Sequence, residues 1–276
     1  MATSVASDPL VEGADQIDRG GIRAIPQAPA EDARYFAPMD ARAHEAQLLA
    51  PGVFFLEFGV GHAYLWDWGD GLTLVDTSLP GSAEVILAAI ASIGRAPHDL
   101  TEIVLTHFHA DHAGSAAELV ARTGASVIAH TADAPVIRGQ APQPPPTLTE
   151  FERPLAAALF GDSTKLPGPP APPVVVDREV QDGDTTAGGG TIVGVPGHTP
   201  GSIALFLPRL RVLFTGDTLA SGDGAPVLGP FNVDRLSAIE SIRKQARLEY
   251  DVACFGHGKP IVGAASRKVL AMVRSL

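Results

Sequence analysis

Residues 104–115, VLTHFHADHAGS, place three of the chain's nine histidines and an aspartate within six positions, directly after an apolar run. A packed core has no use for His107, His109, Asp111 and His112 together, so the fold must carry them on a rigid but accessible edge. EIVLT (102–106) reads as a short buried strand and AGSAAELVARTG (113–124) as a helix closed by Gly124. The side chains between them therefore project from a strand-end loop. Neutral imidazole is a ligand for zinc, iron or manganese, and a carboxylate adds charge compensation. His107 and His109, two apart on a near-extended segment, can point the same way. Asp111 and His112, adjacent, can turn toward a second point.

Two metal positions need more than four donors. Three further residues share one context, each just after an apolar run and beside glycine: His198 in VPGHTPGS, Asp217 in LFTGDTLA and His257 in CFGHGKP. Glycine there lets the backbone turn sharply and approach closely. His44, His62, His98 and His130 lack that context and are expected at the surface or behind the ligands.

The flanking chain reads as strands interspersed with helices in both halves. GVFFLEFGV (52–60), AYLWDW (63–68) and LTLVDT (72–77) are strand-like, and GSAEVILAAIASIG (81–94) is a helix. SVIAH (126–130) is a strand. The strand pattern resumes at 173–180, 191–197, 202–208, 211–217 and 251–256. DRLSAIESIRKQARL (234–248) repeats apolar residues at Leu236, Ile239, Ile242 and Ala246, a helical stripe. This order predicts an α+β fold of two sheets packed face to face with helices outside. Residues 1–45, acidic and weakly periodic, are expected to be an N-terminal arm, and 46–276 one domain. A proline-rich insertion at 135–173 interrupts it, with a short helix at PLAAALF (154–160) that could wall a pocket. Its Phe151, Leu155, Leu159 and Phe160 point to an apolar substrate.

THFHADHAG, PGHTPGS, FTGDTL and GHGKP resemble the ligand motifs of the metallo-β-lactamase superfamily, over roughly residues 50–262. The resemblance implies a four-layer αββα sandwich with a dinuclear site at one edge of the sheets. It implies that His107, His109 and His198 hold one divalent ion, that Asp111, His112 and His257 hold the other, and that Asp217 bridges them. Asp76, ending LTLVD, matches an acid that supports the ligand loops from behind. Zinc is the first expectation for both ions, with manganese and iron as alternatives. Such a site hydrolyses an acyl bond with a metal-bridging hydroxide; Asp111 can orient that hydroxide or shuttle a proton to the leaving group.

Departures from individual branches narrow the expectation to a glyoxalase II-like or lactonase-like hydrolase of a small ester, thioester or lactone. Glyoxalase II itself carries a glutathione-binding domain beyond its last ligand, where this sequence has only a short segment. Acyl-homoserine lactonases place a tyrosine where Ala220 stands, and one β-lactamase type uses a cysteine where Asp217 stands. β-Lactam hydrolysis is kept as a minor activity. The alternative from another class is a mononuclear iron dioxygenase that oxidises a persulfide. The net charge of −11, from 31 acidic and 20 basic residues, disfavours a nucleic-acid partner. With no apolar run of membrane-spanning length, no signal-like start and Cys254 as the single cysteine, a cytoplasmic enzyme is expected. Its partner is a small acyl substrate, and the N-terminal arm offers a homodimer contact.

Overall fold

A computed structural model describes residues 46–160 and 168–275. The expected arm at 1–45 and part of the proline-rich insertion lie outside the described residues.

Seven strands form the first sheet in chain order: β1 (Gln47–Ala50), β2 (Val53–Leu56), β3 (Ala63–Asp67), β4 (Leu72–Val75), β5 (Leu100–Val104), β6 (Ser126–His130) and β7 (Arg178–Val180). The first four pair antiparallel and the rest parallel. The change of direction comes where hairpins give way to helical crossovers, α1 (Ala83–Ser92) and then the one-turn α2 (Ala110–Ala113) with α3 (Ala116–Thr123). The second sheet draws on the other half of the chain: β8 (Thr191–Gly194), β9 (Ile203–Leu207), β10 (Val212–Phe214), β13 (Val252–Cys254) and β14 (Ile261–Val262), in the order β14-β13-β10-β9-β8. A separate hairpin joins β11 (Leu219–Gly222) to β12 (Ala225–Leu228). α6 (Arg235–Gln245) and α7 (Ala265–Val273) accompany the second sheet.

Three apolar interfaces make four layers. Because neighbouring strand residues face opposite ways, each sheet feeds two cores. Ala63 and Leu65 of β3 face α1 and α3 with Leu74, Ile86, Ile90, Ile103 and Leu119. Tyr64 and Trp66, one residue on, face the second sheet with Phe55, Val104, Leu205, Phe214 and Val252. Leu213 turns outward to Ile242, Tyr250, Phe255 and Val269 under α6 and α7. The αββα sandwich is thus the expected fold.

Two local expectations are corrected. The 173–180 run keeps the alternating burial of a strand, with Val174 and Val176 inside and Val175 68% exposed, but only its last three residues pair. Pro172 and Pro173 remove two ladder donors just upstream. On α6, Leu236 is 77% exposed, and the buried face runs through Ala238, Ser241, Ile242 and Gln245. A Cβ on Gly197 would lie 2.2 Å from the Ala238 nitrogen, so the helix docks on its small residue rather than on Leu236.

Candidate metal centre

Strand direction assembles the site. β10 and β13 are parallel and in register at Phe214 and Cys254, and Asp217 and His257 each follow three residues later. β8 runs the same way, two antiparallel pairings removed, and His198 follows it. In the first sheet β4 and β5 are parallel with Val75 beside Val104, so Asp76 emerges next to the stretch that leads through Thr106 to His107. All seven expected donors therefore stand where strands of both sheets end, on one edge of the sandwich.

The side chains converge. Donor atoms of His107, His109 and His198 lie within 4.8 Å of one another, as do those of Asp111, His112 and His257, and a third grouping joins His107, His112 and Asp217. The Asp217 carboxylate touches both sides. Its Oδ1 is 3.3 Å from His112 Nε2, while Oδ2 is 3.1 Å from His257 Nε2 and 3.7 Å from His198 Nε2. Asp111 Oδ2 lies 3.2 Å from His257 Nε2. Gly256 makes this approach feasible, since a Cβ there would stand 2.0 Å from Asp217 Oδ1.

Several imidazoles are oriented from behind, leaving their other nitrogen for the centre. His112 Nδ1 meets Asp76 Oδ2 at 2.8 Å, so with that nitrogen protonated its Nε2 faces inward. Asp76 also accepts from the Thr106 N–H at 2.8 Å and the Thr106 hydroxyl at 2.7 Å. That hydroxyl oxygen lies 3.0 Å from His107 Nδ1, a relay that turns His107 Nε2 inward too. His198 Nδ1 is 3.2 Å from the Pro230 carbonyl, and its Nε2 is 3.0 Å from His109 Nδ1.

The electrostatics divide the site. Burial pushes the pKa of His107 well down, helped by the neighbouring histidines, and lowers that of His109 to about 3. On the other side burial also opposes a charged imidazole, but the carboxylates of Asp217 and Asp111 outweigh it. They hold His257 up to about 10 and, with Asp76, hold His112 well above its usual range. Positive charge is drawn to the point the two carboxylates share.

The donor set fits divalent cations. Nε2 of His107 is buried without a hydrogen bond, and Nε2 of His112 and Oδ1 of Asp217 face each other at 3.3 Å without hydrogen-bond geometry, an expensive condition for three polar atoms in one place. Neutral imidazoles on one side and paired carboxylates on the other match the chemistry of such ions.

Of the other histidines, His98 is exposed and His130 half-buried, while His44 lies outside the described residues. His62 is buried: its Nδ1 accepts from the Phe58 N–H at 3.2 Å, and its ring stands edge-on to Phe55. Sequence reasoning overlooked Thr106, the Pro230 carbonyl and Asp133, a buried carboxylate that follows β6. An open cavity is lined by Thr149–Glu152 of the insertion on one side and Leu228, Pro230 and Arg235 on the other. The insertion helix α5 (Glu152–Phe160), which follows the short α4 (Ala134–Ile137), starts on Glu152, whose carboxylate accepts from the Phe231 N–H at 2.9 Å. Among the described residues no helix is long and apolar enough to cross a membrane.

Residues 56–257 match the family model for the metallo-beta-lactamase superfamily. The chain is 32% identical over 215 residues to the "Probable metallo-hydrolase YflN" of Bacillus subtilis, covering 71% of this chain and 79% of that one. It is 32% identical over 145 residues to the hydroxyacylglutathione hydrolase of Rhodospirillum rubrum, covering 51% of this chain but only 41% of that relative. Among solved structures it resembles the Rm3 metallo-beta-lactamase, with a TM-score of 0.65 at 22% identity, covering 91% of this chain and 96% of that one. At that identity the likeness establishes the fold.

Proposed function

Because this chain belongs to the metallo-beta-lactamase superfamily and is a metal-dependent hydrolase, we propose that its seven convergent donors hold two divalent ions and that it cleaves a small ester, thioester or lactone. The observation that carries the reading is the Asp217 carboxylate, which faces His198 on one side and His112 and His257 on the other. His107, His109 and His198 would hold one ion, and Asp111, His112 and His257 the other, with Asp217 between them. Bound there, zinc or a similar ion lowers the pKa of water toward neutrality and polarises the substrate carbonyl.

The chain's own groups supply the rest. Asp111 is the more open of the two carboxylates, 24% exposed against 7% for Asp217, so it can take up a proton and return it to the leaving group. Asp76 and Thr106 occupy the outward Nδ1 atoms of His112 and His107 and so aim their Nε2 atoms at the centre. The Leu228–Pro230 segment and the insertion offer walls for the acyl part, and Phe151, 93% exposed, offers it an apolar contact. The matches to hydroxyacylglutathione hydrolases favour a thioester within the acyl class, over the part of those relatives that this chain spans. We place the enzyme in the cytoplasm, acting on a small molecule, and assign residues 46–276 to one catalytic domain that follows a separate arm.

The test is metal analysis of the purified protein together with a hydrolysis panel of thioesters, esters, lactones and β-lactams. The protein is used as isolated, after chelation and after reloading, with His109→Ala as the blank. Chelator-sensitive turnover of one acyl class with two bound equivalents is expected. One bound iron, with oxygen consumed on a persulfide, would replace this reading by the dioxygenase.

A further inference from the structure

The three-histidine cluster is built from two separate loops. His107 and His109 follow β5 of the first sheet, and His198 follows β8 of the second. The His198 Nε2–His109 Nδ1 contact at 3.0 Å links these loops through the ligands themselves. A bound ion competes for those ring nitrogens, so a contact outside the ligand set must hold the spacing.

Asp133 spans that gap. It precedes α4 and is 1% exposed. Its Oδ2 accepts from the Thr199 hydroxyl at 2.6 Å, and its Oδ1 accepts from the Gly201 N–H at 2.7 Å. The Phe108 backbone N–H lies near enough to the same carboxylate to favour its ionised form. Thr199 adjoins His198, and Phe108 lies between His107 and His109. The fit is close: a Cβ on Gly201 would stand 2.6 Å from Asp133 Oδ1, so the PGS turn of this loop needs glycine there. All three of these groups are neutral. A buried carboxylate without a cation carries a desolvation cost, and this one joins the two loops that carry the cluster. By contrast Asp76, the other buried brace, contacts Thr106 and His112.

We propose that Asp133 is a positioning residue that sets the spacing between the His107–His109 loop and the His198 loop. It thereby governs metal affinity at that cluster and leaves the Asp111–His112–His257 cluster nearly unchanged. The inference rests on the two-metal reading above.

The test uses the full chain as wild type, Asp133→Asn and Thr199→Val. Asparagine keeps the shape but turns an amide donor toward donors, and valine removes only the hydroxyl. Metal-free proteins are titrated with Co2+, following the d–d absorption and the number of equivalents bound. Asp133→Asn is expected to keep one equivalent at wild-type affinity and to weaken the other about 10- to 100-fold, the range for groups that orient ligands. Thr199→Val should shift the same equivalent in the same direction by less. Hydrogen exchange on the metal-free proteins should show peptides covering 106–109 and 197–202 loosening together in Asp133→Asn.

Equal weakening of both equivalents would overturn the proposal, and so would unchanged binding with unchanged protection of both loops. If Asp133→Asn does not fold, Thr199→Val decides the matter alone. Fewer than two equivalents on the wild type would instead overturn the two-metal reading. The exchange comparison, made without metal, would still judge Asp133.

Discussion

Asp76 Oδ2 lies 2.8 Å from His112 Nδ1, and the residue that makes this contact holds a left-handed backbone, φ 58°. For a residue other than glycine that conformation is uncommon, although aspartate tolerates it better than most. The turn aims the carboxylate back across β5, where it serves Thr106 and His112 together. Replacing Asp76 with alanine keeps the strained turn and removes its return. We expect about 10- to 100-fold weaker metal retention, read by competition with a chelator, together with a lower melting temperature of the metal-free protein. Retention equal to wild type would show that His112 needs no such support.

Gly256 tests the close approach beneath the bridge. Its missing Cβ would occupy space 2.0 Å from Asp217 Oδ1 and 2.6 Å from the His112 Cε1. Gly256→Ala should therefore displace the carboxylate that the two candidate clusters share. The expected result is at least a tenfold loss of affinity for one or both ions with far-ultraviolet circular dichroism unchanged. A variant that binds two equivalents as tightly as wild type would place Asp217 outside the coordination sphere.

The convergent candidate donors were legible because each sits in a local pattern of His, Asp and Gly directly after an apolar run. The braces were not, because bracing uses ordinary residues joined only by the fold. Asp133 and Thr199 stand 66 positions apart, and nothing near either predicts a 2.6 Å contact. The same distinction holds for the layers. Alternation in AYLWD made β3 readable, since each of its faces meets a different core. On α6 the periodicity was visible, but its rotation depended on Gly197 lying against Ala238 from another strand end. Pro172 and Pro173 erased a ladder that the Val174–Val176 pattern suggested.

Tyr64 offers a stability test away from the centre. Its hydroxyl donates to the Phe255 carbonyl at 2.7 Å in the inter-sheet core, and its ring packs edge-on to Phe214. Tyr64→Phe keeps the ring and leaves a buried carbonyl short of a donor, a loss of about 1–3 kcal/mol. Phe214→Ala opens a cavity in the same layer and should cost more, about 3–5 kcal/mol. Denaturant unfolding of the metal-free proteins measures both, and the reverse ranking would mean that packing between the sheets is looser than the burial of Phe214 implies.

Asp133 makes a prediction about pH. Burial raises its pKa from the ordinary carboxylate range to about 6, against the hydrogen bonds from Thr199 and Gly201 and the nearby Phe108 N–H. The folded protein therefore binds this proton more tightly than the unfolded chain, whose aspartates titrate near 4. Stability from this group is fully present below about pH 4 and is lost as pH rises through about 6, on the order of 3 kcal/mol in all. Asparagine at 133 does not titrate. The unfolding free energy of metal-free wild type, minus that of Asp133→Asn, should thus rise as the pH is lowered from 7.5 to 4.5. The two share every other titrating group, so the difference isolates Asp133. A flat difference would mean that these three groups hold the carboxylate ionised at no cost. A rising one would show that at neutral pH the chain keeps a destabilising buried charge, which is what a group retained for holding two ligand loops together should do.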